Sequence, residues 1–199
     1  MLIRHATMAD LPAITAVEAT CFPDAEAASA DVLRDRLAMY PDCFWLMVDD
    51  ATDDAADAAA GADAMSDTAH GTVDGELTNV SAVSAAVRDG RLVAFINGFV
   101  TNSPDLTDEM YDDARLHNPD GAWQMIFGVD TAPAYRHHGY ASTLMQRVID
   151  DARAAGRAGL VLTCKDRLVG FYARLGYVDE GISESTHGNV VWHQMRLRF

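Results

Sequence analysis

The residues with the most chemistry to offer lie in one run, Gly128-Val129-Asp130-Thr131-Ala132-Pro133-Ala134-Tyr135-Arg136-His137-His138-Gly139-Tyr140-Ala141. A guanidinium, two imidazoles and a glycine precede a long amphipathic segment. Placed at a helix N-terminus, such a turn binds an anion through unpaired backbone N–H groups and the helix dipole. Gly139 leaves no Cβ to hold a phosphate away. A second candidate is Tyr172, in Phe171-Tyr172-Ala173-Arg174-Leu175-Gly176-Tyr177, a hydroxyl with a proton to give. Tyr172 is also spaced with Leu168 and Leu175 as a core residue of a short helix would be. Cys164 offers a thiol, but a cysteine closing an apolar strand is more often core than nucleophile.

Elements must position these groups. Trp123 to Val129 reads as a strand that ends by Pro133, which has no N–H to donate and biases Ala132 to an extended conformation. From Ala141, the apolar residues Leu144, Met145, Val148, Ala152 and Ala155 mark one face of a helix, with Gly156 as its C-terminal cap. Gly159 to Cys164 reads as a buried strand, Arg167 to Leu175 as a short helix, and Val190 to Phe199 as a half-buried strand. Towards the N-terminus, Leu2 to His5 is a strand. Helices follow with Leu11, Ile14, Val17 and Glu18, and with Val32, Leu33, Arg36, Leu37 and Tyr40. Phe44 to Val48 and Leu92 to Val100 are strands that would form a hairpin. Between them the chain from Asp49 to Val87 has no Lys or Arg and is rich in Ala, Asp, Gly, Ser and Thr. It reads as a flexible acidic insertion, at about residues 50–87, in a single domain of 1–199. Residues 103–121 are polar, acidic and partly helical, and sit where they could overhang a ligand site.

Arg136-His137-His138-Gly139-Tyr140-Ala141 resembles the Arg/Gln-x-x-Gly-x-Gly/Ala pyrophosphate-binding signature of the GNAT N-acetyltransferases. Phe171-Tyr172-Ala173-Arg174-Leu175-Gly176-Tyr177 resembles their second hallmark. Residues 162–168, Phe171-Tyr172 and residues 183–188 are further similar to bacterial relatives of arylalkylamine (serotonin-type) N-acetyltransferases. The animal enzymes carry a His-x-His pair on the central strand; in register with Arg136 this chain has Met125 and Phe127.

The resemblance implies an α/β fold: a mixed, mostly antiparallel sheet splayed at a central parallel strand pair, with helices on both faces. It implies acetyl-CoA as cosubstrate, with contacts from Val129, Asp130, Thr131, Arg136, His137, His138, Gly139, Tyr140, Ala141 and Phe171. It further implies direct attack of a small amine on the thioester, a backbone N–H near Gly128 or Val129 for the oxyanion, and Tyr172 as general acid. The base stays open among His187, His117, Asp130, Glu109 and a water chain ending on backbone. A non-catalytic acyl-CoA sensor on the same scaffold is the alternative reading.

Composition bounds the rest. A net charge of -15 argues against nucleic-acid binding and favours a cationic acceptor over an anionic one. No apolar run approaches the roughly 20 residues of a membrane span. Met1-Leu2-Ile3-Arg4-His5 is not a signal peptide. Three cysteines without metal spacing suit a reduced, cytoplasmic protein with no metal site. A dinucleotide fold would need Gly-x-Gly-x-x-Gly after a strand, and Arg136 to Ala141 holds one glycine. A homodimer stays open as a partner state.

Overall fold

The computed structural model describes residues 1–50 and 86–199. The bulk of the expected insertion, residues 51–85, lies outside the described residues. Its last two residues do not belong to a loop: Ala86 and Val87 pair with Arg91 and Gly90.

In chain order the elements are β1 (Leu2–His5), α1 (Leu11–Cys21), α2 (Ala30–Met39), β2 (Phe44–Asp49), β3 (Ala86–Val87), β4 (Gly90–Thr101) and α3 (Glu109–Asp112). There follow β5 (Trp123–Thr131), α4 (Tyr140–Ala154), β6 (Gly159–Cys164), α5 (Asp166–Ala173), β7 (Val178–Ile182) and β8 (His193–Arg198). The sheet order is β1-β2-β4-β5-β6-β8-β7, with β3 paired to β4 off this path. Of these pairings only β5 with β6 is parallel. The mixed, mostly antiparallel sheet expected from the sequence is therefore the one found.

Strand alternation puts the helices on opposite faces. Phe44 stacks on Tyr40 at the end of α2, whereas its neighbour Trp45 donates its indole N–H to Asp151 of α4 at 2.9 Å. β4 is buried from Leu92 to Thr101, as a central strand covered on both sides must be. α4 buries Leu144, Met145, Val148 and Ala152 of the expected stripe and Ile149 besides, whereas Ala155, just past the last helical residue, is exposed. It ends at Gly156, whose φ of +70° lets it donate to Arg153 while Arg157 donates to Ala152. α2 starts at Ser29, whose Oγ accepts from Val32 N–H at 3.3 Å. The segment expected to be partly helical between residues 103 and 121 holds only the single turn of α3 and a 3-10 turn at Ala114–Leu116. No helix among the described residues is long and apolar enough to cross a membrane.

Candidate active site

The parallel ladder is short. Its rungs run from Trp123 opposite Gly159 to Ile126 opposite Leu162, and then β5 and β6 part. On its other edge β5 stays paired with β4 as far as Thr131 opposite Ala94. Register slips there, Gly98 facing Ile126 and Asn97 facing Gly128, so Phe127 is an extra residue. Such a bulge bends a strand and increases its twist, which carries β5 away from β6. The close approach depends on Gly98, where a Cβ would stand 1.8 Å from the Met125 carbonyl oxygen.

Ala132 N–H donates to Val93 O at 2.9 Å, so the polar backbone groups of Asp130 and Gly128 also face β4. Those of Val129 and Thr131 turn to the open side. Arg136 Nε and Cys21 Sγ donate to Thr131 O, at 3.1 and 3.4 Å. Val129 N–H and C=O and Thr131 N–H remain without a strand partner, a costly condition for backbone unless a ligand or water meets it. A cavity of about 300 Å³ fills the parting, walled by Phe127, Gly128 and Val129 of β5, Leu162, Thr163 and Cys164 of β6, and Leu168 and Tyr172 of α5. Glu18, Arg36, Asn97, Tyr111, His187 and Trp192 close the far wall. Tyr111 reaches both strands: its ring packs 5.1 Å from that of Phe127, and its hydroxyl lies 3.0 Å from Thr163 Oγ1.

Beyond the open edge is the turn before α4. The backbone N–H groups from His137 to Ser142 donate to no acceptor among the described residues; the first helical rung is Thr143 N–H to Gly139 O at 3.0 Å. His137 at φ +67° and Gly139 at φ +81° curl this run, the alternation that gathers amides into an anion nest. A Cβ on Gly139 would meet nothing within 4 Å, so the space before the helix is open and the backbone conformation is what favours glycine. The Arg136 guanidinium points back. Besides Thr131 O it donates to Thr20 O at 3.4 Å and Cys21 Sγ at 3.7 Å, tying the turn to the end of α1. His138 turns its Nδ1 to Arg136 O at 2.7 Å and stacks on Tyr140, leaving the amides as the unpaired polar groups of this stretch.

The opposite end is built from buried ionisable side chains. Glu18 is 4 % exposed; its Oε1 accepts from Ala28 N–H at 2.8 Å and its Oε2 has no partner. Burial raises its pKa, against the pull of the Ala28 amide, Arg36 and His187. Asp130 is 1 % exposed, with both carboxylate oxygens unpartnered. Burial, reinforced by Glu18, raises its pKa well above the usual carboxylate value. Gly128 separates them: a Cβ there would stand 2.9 Å from Asp130 Oδ2 and 3.8 Å from Glu18 Oε2. Of the bases considered from sequence, His187 lines the cavity, stacked on Tyr111 with Nε2 3.1 Å from Glu26 O. Asp130 lies behind Gly128. Glu109 and His117 are not among the lining residues. His117 accepts Val100 N–H at 3.2 Å, and burial lowers its pKa. Glu18 is not among the bases the sequence singles out, although its place on the apolar stripe of α1 with Ile14 and Val17 marks it as buried.

Tyr172 does line the cavity. Its ring is held edge-on between Phe171 and Tyr177, and its hydroxyl makes no hydrogen bond among the described residues. Burial, with Cys164, Asp130 and Tyr111 nearby, raises its pKa above the usual phenol, so the proton is present to be given. Phe171 supports that ring from outside the cavity. The Cys164 thiol is pushed up to about 12 by burial, which leaves no thiolate for nucleophilic attack. No group of three or more His, Cys, Asp or Glu among the described residues is placed to hold a metal ion.

This geometry agrees with what the chain matches. The acetyltransferase (GNAT) family model covers residues 45–177, and the chain belongs to that family. The serotonin N-acetyltransferase of Mesocricetus auratus is 32 % identical over 111 residues, 54 % of this chain and 51 % of that protein. The chain thus aligns with about half of that relative's length. Among solved structures, a GNAT-like decarboxylase, GphF, in complex with isobutyryl-CoA superposes with a TM-score of 0.69 at 20 % identity, covering 100 % of this chain and 99 % of that one. Rv2747 from Mycobacterium tuberculosis, in complex with CoA and NLQ, gives 0.58 at 15 % identity over 100 % and 99 % of the two chains. At these identities the two structures establish the fold.

Proposed function

We propose that the protein transfers the acetyl group of acetyl-CoA to the nitrogen of a small amine, by direct attack on the thioester. One observation carries this reading: where β5 and β6 part, Val129 at the open edge, Tyr172 and Glu18 line one cavity. The residues present fit the cosubstrate. The amides of His137 to Ser142 and the α4 dipole suit its pyrophosphate, and the Val129–Thr131 edge suits an amide-bearing arm laid along it like a strand. The cosubstrate supplies the activated acyl group.

The chain's own residues do the rest. Glu18, buried and with one oxygen unpartnered, accepts a proton from the incoming ammonium and leaves a nucleophilic amine. Val129 N–H, turned to the open side, donates to the oxyanion that develops; one such donor lowers the barrier by on the order of 3 kcal/mol. Tyr172 protonates the departing sulfur, and the phenolate so formed takes the second proton that the nitrogen loses as the adduct collapses to the amide. The surrounding aromatic walls limit water and so limit hydrolysis of the thioester.

The test is release of free CoA thiol from acetyl-CoA across arylalkylamines, polyamines, aminoglycosides and amino acids. Turnover with one class supports the reading and names the acceptor. Tight acetyl-CoA binding with no turnover by any amine would instead indicate an acyl-CoA sensor on the same fold.

A further inference from the structure

Arg36 is the unexplained charge in the cavity. It projects from α2 and lines the wall, yet is only 4 % exposed. Its NH1 donates to Asn97 Oδ1 at 2.9 Å and its NH2 to Tyr111 O at 2.7 Å, both neutral acceptors. The guanidinium lies 4.6 Å over the Phe127 ring, and Nε has no acceptor. No carboxylate among the described residues comes within ion-pair distance of it. By contrast, the other largely buried arginine, Arg196, holds Glu180 at 2.7 Å and Asp105 at 2.6 Å. A buried guanidinium held by neutral groups keeps most of its desolvation cost, and a carboxylate is the partner whose geometry its fork matches.

Glu18 is the complementary orphan. Its Oε2 also lacks a partner, and the two charges do not meet. Asn97 stands between them: its Oδ1 holds Arg36, and its Nδ2 would be 2.8 Å from a Cβ on Gly128, the same point that lies 3.8 Å from Glu18 Oε2. The cavity therefore offers an anion to one end of a ligand and a cation to the other, across the strand residue beside which the oxyanion would form.

We propose that the acceptor is an amine that also carries a carboxylate, an amino acid or a close analogue, with its ammonium at Glu18 and its carboxylate at Arg36. This rests on the acetyl-transfer reading for the ammonium's fate, but the paired binding site does not. It also runs against the whole-chain charge, which favours purely cationic acceptors; the local cation outweighs it because it is buried and close.

The experiment uses matched pairs that differ only in the carboxylate: phenylalanine with phenethylamine, lysine with cadaverine, and methionine with 3-(methylthio)propylamine. Turnover with acetyl-CoA and calorimetric binding to the CoA-loaded protein are both measured. The proposal expects the carboxylated member of at least one pair to be preferred roughly tenfold to a hundredfold. It expects Arg36→Met to collapse that ratio towards one, and Arg36→Lys to restore part of it. The wild-type comparison stands even if Arg36→Met fails to fold. Equal or better use of the decarboxylated amines, or no binding by any carboxylated member, overturns the proposal. Preferential binding of a carboxylated member without turnover upholds it and rejects acetyl transfer.

Discussion

The turn before α4 and the cavity wall beside α1 are made of different materials. In the turn before α4 the unpaired polar groups are backbone amides, from His137 to Ser142, and the neighbouring side chains turn away: Arg136 to α1, His138 to its own loop. Beside α1 the unpartnered groups are side-chain atoms: Glu18 Oε2, both Asp130 carboxylate oxygens and Arg36 Nε. The first arrangement recognises charge and shape through a conformation. The second depends on the chemical identity of single residues in a low-dielectric wall, where each is strongly perturbed. On the proposed function, recognition of the cosubstrate and handling of the acceptor are separated along one strand.

Substitutions should respect that division. Glu18→Gln keeps the shape and removes the proton acceptor, so kcat/KM near neutrality should fall by about 10³ while CoA affinity holds. A rate loss matched by an equal loss of CoA affinity would break the division. Tyr172→Phe should lower kcat by about 10², again with CoA affinity retained, as steady-state rates beside CoA titration would show. At the other end, Gly139→Val forces a β-branched residue to a φ of +81°, a strain of roughly 1–3 kcal/mol. The loss should appear as about tenfold weaker CoA binding with acceptor KM little changed. Unchanged CoA affinity would mean that the pyrophosphate lies elsewhere.

The smallest expected effect is on stability. Because burial raises the Asp130 pKa in the folded state, its contribution is full below the unfolded value near 4 and is lost as pH climbs towards the folded value. Asp130→Asn cannot ionise. Its melting temperature relative to wild type should therefore rise with pH from about 4 upward, by about 1.4 kcal/mol of stability for each pH unit between the two values. Parallel curves would show that Asp130 titrates normally and shares nothing with Glu18.

The same division explains what was legible in the sequence. The α4 turn could be read because a conformation leaves local marks: Pro133 after a strand, Gly139 before a helical stripe, Gly156 after it. The antiparallel strands and the short parallel pair followed from the apolar runs and the resemblance. The acceptor end could not be assembled, since its residues come from α1, α2, β4 and α3 and meet only through the sheet. Glu18 and Arg36 look in sequence like ordinary charges on helices. The hint was their phase, each falling on the apolar face of its helix beside Val17 and Leu37. Nor could the sequence show that Arg136, the most conspicuous residue of its motif, would brace the turn from behind.

Tyr111 bridges the two strands where they part. Where hydrogen-bonded rungs no longer join β5 to β6, its ring leans on Phe127 of one strand while its hydroxyl reaches Thr163 of the other. It is a strut across a fork, and one phenol sets the spacing that elsewhere in the sheet is set by the peptide ladder. The aperture of the fork is thus a side-chain dimension. A shorter residue at 111 would let the prongs relax, while the ladder from Trp123 to Ile126 kept the hinge of the fork intact.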